Sequence, residues 1–141
     1  FNVVQGRGLT VQERRVLLIE DEPNIIEAIR FILSRDGWRV DTHSDGKTAL
    51  DAILARAPDL VILDVMLPNR SGYDILADLR ADPETGSIPV LMLTARGQTK
   101  DRELAHRIGA NRFMTKPFSN AEVLEAVRAL TAPADQGGSG G

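Results

Sequence analysis

Three short, uninterrupted apolar runs constrain the fold of this chain more than any other feature. They occupy residues 16–19 (VLLI), 60–63 (LVIL) and 90–93 (VLML). Such runs are typical of strands that are buried on both faces in the middle of a parallel sheet. Segments with apolar residues at helical spacing follow them, and Ile25, Ile29 and Ile32 give the clearest example. The alternation predicts an α/β domain built from strand–helix units.

Two weaker segments complete the pattern. Trp38, Val40 and Thr42 alternate with polar residues, which favours an edge strand, and residues 113–114 lie in a short apolar segment that predicts a fifth strand. A final helical pattern follows this segment. The chain therefore contains five strand–helix pairs, which predict a five-stranded parallel sheet, (βα)5 and doubly wound, with helices on both faces.

The apolar positions also predict which side chains the helices bury. We expect Leu50, Ile53 and Leu54 to face inward from the second helix, and Leu104 and Ile108 mark the fourth helix. Ser71 is the predicted N-cap of the third helix, with Asp74 three residues later in the capping-box position.

Length and composition indicate one folded domain with short tails. We predict a domain over residues 16–131, a tail or remnant of a preceding segment over 1–15, and a flexible Gly/Ser-rich tail or linker over 132–141. The net charge of -3 argues against a nucleic-acid-binding domain. The absence of cysteine excludes disulfides and zinc–thiolate sites. No apolar run is long enough to span a bilayer, so we expect a cytoplasmic protein with no membrane contact.

Polar residues stand where the predicted inner strands end. Glu20 and Asp21 follow the first strand, Asp64 ends the third, Thr94 ends the fourth, and Lys116 follows the fifth. Because the carboxyl ends of parallel strands meet at one edge of the sheet, and ligands bind beyond that edge, we expect these five side chains to lie close together.

The expected cluster has a definite chemistry. Three neighbouring carboxylates repel one another unless a cation neutralises them, and Mg²⁺ prefers such oxygen ligands. A lysine and a threonine add a positive charge and a hydroxyl donor, both suited to a phosphoryl group. An aspartate can accept that group as an acyl phosphate. Each residue alone is ordinary, since strand-terminal aspartates are usually turn or cap residues. The combination predicts a phosphoryl-transfer site.

The residues around these positions resemble a known family. Residues 16–23 (VLLIEDEP), 59–68 (DLVILDVMLP), 93–96 (LTAR) and 115–118 (TKPF) resemble the receiver domain of bacterial two-component response regulators. The resemblance covers nearly all of the predicted domain. It implies a CheY-like sheet with the strand order 2-1-3-4-5.

The resemblance also implies roles for the acidic residues. Asp64 would accept a phosphoryl group from the phosphohistidine of a sensor kinase or a phosphotransfer protein. Mg²⁺ (or Mn²⁺) would be held by the carboxylates of Asp21 and Asp64 and by the backbone carbonyl of Met66. Glu20 would act through a metal-bound water.

Three further residues would read out the phosphorylated state. By resemblance, Lys116 would contact the acyl phosphate and its peptide bond to Pro117 would be cis. Thr94 would move towards the phosphoryl oxygen and Phe113 would turn inward, although a plain core role for Phe113 stays open. The switched surface would bind a downstream protein that the sequence does not identify. We expect no direct contact with nucleic acid, and the oligomeric state is left open.

Two departures qualify the resemblance. Met66 and Arg96 stand two places after Asp64 and Thr94, where large side chains would shield an acyl phosphate from water, so we expect a long-lived phosphorylated state. Many receivers attached to winged-helix domains carry an acidic pair for dimer salt bridges after Gly-Ala, where this chain has Asn111 and Arg112. That dimer is therefore not expected here.

Two other functions remain in competition with a signalling switch. An aspartate-nucleophile phosphatase shares a similar sheet, but it needs a general acid two residues after the nucleophile, where this chain has Met66. A scaffold could keep the receiver fold without ever being phosphorylated. The residues favour a switch that catalyses only its own phosphorylation and dephosphorylation.

Overall fold

A computed structural model describes residues 13–95 and 99–132. The described residues form one sheet of five parallel strands in the order β2-β1-β3-β4-β5, which confirms the predicted fold. No helix within these ranges has the length and apolar character needed to cross a membrane. In chain order the elements are β1 (Arg14–Ile19), α1 (Pro23–Arg35), β2 (Trp38–His43), a 3-10 turn (Gly46–Thr48), α2 (Ala49–Arg56), β3 (Leu60–Asp64), α3 (Gly72–Ala81), β4 (Val90–Thr94), α4 (Thr99–Ile108), β5 (Arg112–Thr115) and α5 (Asn120–Thr131).

The three apolar runs are the inner strands, and they divide the core into two layers. Side chains of β1 alternate between the faces, so that Val16 and Leu18 pack beneath α1 and α5, whereas Leu17 and Ile19 pack beneath α2, α3 and α4. The residues of β3 and β4 are all buried. Because both faces are covered, the runs need no polar alternation, which explains the pattern from which they were predicted.

The first strand begins at Arg14, two residues before the predicted start of the domain. Arg14 pairs in register with Trp38 at the start of β2, and its guanidinium lies 4.5 Å from the centre of the indole ring. Its Nη2 atom also donates to the backbone carbonyl of Asp36 at 2.9 Å. A cation stacked on an aromatic face extends the strand beyond its apolar part. Residues 1–12 and 133–141 of the predicted tails lie outside the described ranges.

The burial of the two short helices confirms part of the prediction for α2. The predicted Ile53 is fully buried, as is Ala49, whereas Leu54 is 38% exposed, so its predicted inward position is wrong. In α4 the fully buried residue is Ala105, and Leu104 is 36% exposed. Neighbouring residues point about 100° apart on a helix, so only a narrow stripe reaches the sheet. Packing, and not apolar character, decided which residues form that stripe.

The helix caps differ partly from expectation. The Ser71 hydroxyl accepts a hydrogen bond from the backbone N–H of Tyr73 at 3.0 Å, which confirms the N-cap of α3. The reciprocal capping box is found on α5 instead. There the Ser119 hydroxyl accepts from the Glu122 N–H at 3.1 Å, and the Glu122 carboxylate accepts from the Ser119 N–H at 2.8 Å. The two bonds fix the residue at which α5 begins.

The guanidinium of Arg80 joins three segments at the opposite end of the sheet. Its nitrogens donate to the carbonyl oxygens of Gly109 (2.8 Å), Gly86 (3.0 Å) and Ile88 (2.6 Å), and to the side-chain oxygen of Asn111 (2.7 Å). Burial lowers the pKa of Arg80 from its usual range. Gly109 has φ 126 and lies so close that an added Cβ would be 2.9 Å from the Cγ of Arg80. Arg80 thus fixes the C-terminal end of α4.

Replacing Arg80 by alanine should therefore lower the free energy of unfolding by about 2–4 kcal/mol, because partly buried carbonyl groups lose their donor. Urea unfolding would measure the change. Arg30→Ala is the matched control, since that exposed guanidinium donates one long bond, 3.3 Å, to the Thr42 hydroxyl. Equal effects of the two substitutions would contradict the role assigned to Arg80.

Candidate functional site

The predicted site residues Glu20, Asp21, Asp64, Met66, Thr94 and Lys116 lie along the carboxyl-terminal edge of the sheet, whereas Phe113 lies within β5. The backbone ladder continues past the strand ends, with the N–H of Glu20 donating to His43 at 2.9 Å and that of Lys116 donating to Thr94 at 2.7 Å. These bonds hold the residues after β1 and β5 at the edge of the sheet where Asp64 ends β3. The parallel topology alone therefore brings together side chains that are distant in sequence.

Three carboxylates converge at this edge. Glu20, Asp21 and Asp64 each offer an oxygen within 4.8 Å of the others. Glu20 is fully buried, Asp64 is 2% exposed, and Asp21 is exposed. The cluster is therefore closed towards the core and open on the side of Asp21. Such a set of hard oxygen donors fits a divalent cation.

The ammonium group of Lys116 lies among these carboxylates. Its Nζ atom is 3.0 Å from an oxygen of Glu20, 3.4 Å from one of Asp64 and 3.8 Å from one of Glu22. The side chain is 11% exposed. Burial pulls the pKa of Lys116 down, but the hydrogen-bonding and charge of Glu20, with Asp64 and Glu22, more than offset it and raise that pKa. The ammonium group of Lys116 therefore stays protonated beside the carboxylates of Glu20 and Asp64.

Glu20 organises the loop after β1. Its Oε2 atom accepts from the backbone N–H groups of Asp21 (3.2 Å) and Glu22 (3.1 Å). Its Oε1 atom forms the 3.0 Å ion pair with Lys116. The pKa of Glu20 is raised, chiefly because the carboxylate is buried and also because the charge of Asp64 is nearby. The hydrogen bond from the Glu22 N–H and the contact with Lys116 lower that pKa and offset part of the rise. The predicted role through a metal-bound water stays a prediction.

Glycine is required where the chain after β3 turns into α3. The N–H of Gly72 donates to the carbonyl of Val65 at 2.9 Å, and an added Cβ at Gly72 would lie only 2.2 Å from the carbonyl oxygen of Asp64. A glycine directly after an N-cap serine was the available signal of this close approach.

Met66 presents its backbone to the site and its side chain to solvent. The N–H of Met66 donates to Oδ1 of Asp64 at 3.3 Å, and the methionine side chain gives the residue 69% exposure. The shielding of an acyl phosphate by this side chain stays a prediction. Arg96, its expected partner, lies outside the described residues.

The two predicted switch residues occupy different environments. Thr94 is 3% exposed at the end of β4. Phe113 is half-buried, and the guanidinium of Arg102 lies 5.5 Å from the centre of its ring. The ring opens onto a shallow depression of about 690 Å³ against α4. Both the core and the switch interpretations of Phe113 fit this position. The peptide bond between Lys116 and Pro117 is cis, as the resemblance implies.

The positions that lack the acidic pair make contacts within the chain. The amide oxygen of Asn111 accepts from Arg80 and from the backbone N–H of Val90 at 2.8 Å. Arg112 forms an ion pair with Glu125 of α5 at 2.5 Å. Asn111 thus stabilises the fold through these two hydrogen bonds. Arg112 carries a positive charge where receivers that dimerise through the acidic pair carry a negative one.

Replacing Lys116 by methionine should lower the free energy of unfolding at neutral pH, without divalent cations, by about 3 kcal/mol, because Glu20 and Asp64 lose their buried cation. Chemical unfolding would measure the loss. Lys47→Met is the control, since Lys47 is exposed. Adding Glu20→Gln to the Lys116 variant should recover part of the loss. A Lys116 variant as stable as the control would refute this account.

Comparisons with known proteins agree with the geometry. The family model of the response regulator receiver domain matches residues 16–128. Over 117 residues the chain is 39% identical to the alkaline phosphatase synthesis transcriptional regulatory protein PhoP of Bacillus subtilis, a match that covers 83% of this chain and 48% of that protein. The chain spans about half the length of the curated relatives it matches.

Solved structures give the same result. The BeF3-activated N-terminal receiver domain of RstA from Klebsiella pneumoniae matches with a TM-score of 0.79 and 27% identity, covering 85% of this chain and all of that one. The receiver domain of a sensor histidine kinase from Pseudomonas aeruginosa PAO1, solved with magnesium coordinated in its active-site cleft, matches with a TM-score of 0.77 and 29% identity over 84% of this chain and 98% of that one. The chain therefore belongs to the response regulator receiver domain family, the phosphoryl-accepting modules of two-component signalling.

Proposed function

We propose that Asp64 is the phosphoryl acceptor of this receiver domain. The observation that carries the proposal is the position of its carboxylate, which is 2% exposed, 3.4 Å from the ammonium of Lys116, and within 4.8 Å of oxygens of Glu20 and Asp21. The donor would be a phosphohistidine of a sensor kinase or a phosphotransfer protein. The domain would catalyse its own phosphorylation and dephosphorylation and no other turnover.

The transfer follows from these positions. An oxygen of Asp64 attacks phosphorus, the bond from phosphorus to the histidine nitrogen breaks, and the imidazole keeps the electron pair and takes up a proton. Lys116 balances the charge on the acyl phosphate formed. Because little covalent chemistry is asked of the protein, positioning and charge neutralisation carry most of the rate.

The carboxylate cluster fits Mg²⁺ (or Mn²⁺), which receiver domains bind at an acidic site. Asp21, Asp64 and the backbone carbonyl of Met66 would hold the ion, and Glu20 would act through a water molecule. Three hard oxygen donors within 4.8 Å, one of them exposed, support this assignment. When bound, the ion neutralises charge on the phosphoryl oxygens.

The output of the switch would be a protein surface. We propose that Thr94 moves towards the phosphoryl oxygen and that Phe113 follows it, which would reshape the depression beside Arg102. The curated relatives are transcriptional regulatory proteins, and the match spans only about half of their length, so a longer product with a transcriptional role is a coherent proposal. The receiver itself would contact protein and not DNA.

The phosphatase alternative is disfavoured by the residue beside the acceptor. Met66 occupies the place of a general acid, and a thioether cannot transfer a proton. The scaffold alternative is distinguished by phosphorylation itself, because a scaffold would not react with a small phosphodonor.

Incubation with Mg²⁺ and acetyl phosphate should raise the mass of the wild-type protein by one phosphoryl group, detected by intact-mass spectrometry. Asp64→Asn should abolish the gain, because the nucleophilic oxygen is lost. Asp21→Asn should reduce both the rate and its dependence on Mg²⁺.

The control for charge is Asp51→Asn, which removes an exposed carboxylate on α2 and should react like wild type. No mass gain in the wild-type protein would support the scaffold alternative. A gain that survives Asp64→Asn would show that another residue is the acceptor.

Met66→Ala should shorten the lifetime of the phosphorylated state severalfold, because removal of the exposed side chain opens the acyl phosphate to water. The measurement is the decay of the phosphorylated mass after removal of the donor. Leu54→Ala, which shortens another exposed apolar side chain, on α2 and away from Asp64 in the sequence, should leave the lifetime unaltered. A lifetime as long as that of wild type, also after Arg96→Ala is added, would refute the shielding hypothesis.

A further inference from the structure

The loop that follows Asp64 is fastened to a distant part of the chain. This loop covers residues 65–71 and carries Met66. Opposite it lies the connection between β2 and α2, where Asp45 and Gly46 begin the 3-10 turn. We call the contact between Asp45, Gly46, Pro68 and Asn69 the clasp.

One half of the clasp is a side-chain hydrogen bond. The amide nitrogen of Asn69 donates to Oδ1 of Asp45 at 2.9 Å, and the same oxygen accepts from the backbone N–H of Lys47 at 2.9 Å. The bond from Asn69, followed by that from the Lys47 N–H, lowers the pKa of Asp45. Asn69 has φ 71, a left-handed conformation that asparagine tolerates better than most residues. Both the side chain and the backbone of Asn69 are thus suited to this position.

The other half of the clasp is a backbone contact. The N–H of Gly46 donates to the carbonyl of Pro68 at 3.1 Å. An added Cβ at Gly46 would lie 2.6 Å from the carbonyl oxygen of Arg70 and 2.9 Å from that of Pro68. Only glycine permits the two segments to approach this closely.

Met66 lies between two fixed points of the loop. On one side, Val65 donates to the carbonyl of Leu93 at 2.9 Å and accepts from Gly72 at 2.9 Å. On the other side, Pro68 is held by the clasp. The Met66 side chain points to solvent, so the direction of its backbone carbonyl depends on these two flanking anchors.

We propose that Asp45 and Asn69 are positioning residues for the phosphorylation site: the clasp fixes the direction of the Met66 carbonyl and thereby sets the affinity for a divalent cation. The inference rests on the proposed function, in which that carbonyl is a metal ligand. Groups that orient metal ligands from outside typically change metal affinity about 10–100-fold when they are removed.

The first test is Asn69→Gly, which keeps a residue tolerant of positive φ and removes only the amide. Mg²⁺ affinity, measured by calorimetry with the metal alone, should fall about tenfold. The thermal unfolding temperature without metal should change little, because the hydrogen bond from the Asn69 side chain to Asp45 is exposed to solvent. A purely structural role would instead lower stability and leave the Mg²⁺ affinity intact.

The second test exchanges the two partners. Asn69→Asp places two carboxylates face to face and should weaken Mg²⁺ binding at least as much. In the double variant Asp45→Asn/Asn69→Asp, the new amide can donate to the new carboxylate while its oxygen still accepts from the Lys47 N–H. This exchange should restore most of the affinity. A double variant as weak as Asn69→Asp, or an affinity unchanged in all variants, would overturn the proposal.

Phosphorylation by acetyl phosphate separates the failure of this inference from the failure of the proposed function. If the wild-type protein gains no phosphoryl group, the proposed function fails. If the wild-type protein is phosphorylated and loses the reaction on Asp64→Asn, but the Asn69 variants bind Mg²⁺ like wild type, then only the clasp fails. The expected result is a reaction in the Asn69 variants that needs more Mg²⁺ to reach the wild-type rate.

Discussion

The ion-pair cluster around Lys116 is the interaction on which the rest of the site depends. Its ammonium lies 3.0 Å from Glu20 and 3.4 Å from Asp64, two carboxylates with almost no exposure. Lys116 offsets the repulsion between these two buried like charges. The lysine supplies part of the compensation and leaves Asp21 facing the solvent. The remaining carboxylate oxygens are hard donors of the kind that fit a divalent cation.

Backbone geometry holds this cluster in place. The loops beyond β1, β3 and β5 are extensions of the sheet ladder, so their first residues inherit the spacing of the strands. Where the chain must pass close to itself, glycine is present: Gly72 lies against the carbonyl of Asp64, and Gly46 lies against Pro68. The side chains at this edge of the sheet therefore lie on loops that backbone hydrogen bonds and close contacts hold in one conformation. A site that works by positioning needs this, since small displacements are costly in rate.

The sequence predicted the site better than it predicted the surroundings of the site. Glu20, Asp64 and Lys116 were placed together because runs of four apolar residues reveal buried strands, and parallel strands end at one edge. The inward position predicted for Leu54 is wrong, because the apolar pattern of a short helix leaves its rotation against the sheet undecided. The sequence also leaves open which helix start forms a complete capping box. Ser71 and Ser119 are each followed three residues later by an acidic residue, but only Ser119 forms both hydrogen bonds of the box.

By itself, the sequence determined the order of strands and helices, the residue types at each strand end, and hence the class of chemistry. Those properties follow from local periodicity and from the rule that parallel strands share an edge. Only the tertiary structure decided which oxygen of Glu20 faces Lys116, that Gly72 has no room for a side chain, and that Asp45 reaches Asn69 across 24 positions of sequence. These contacts join segments through the packing of crossover connections, and no periodicity in the chain encodes the distances between them.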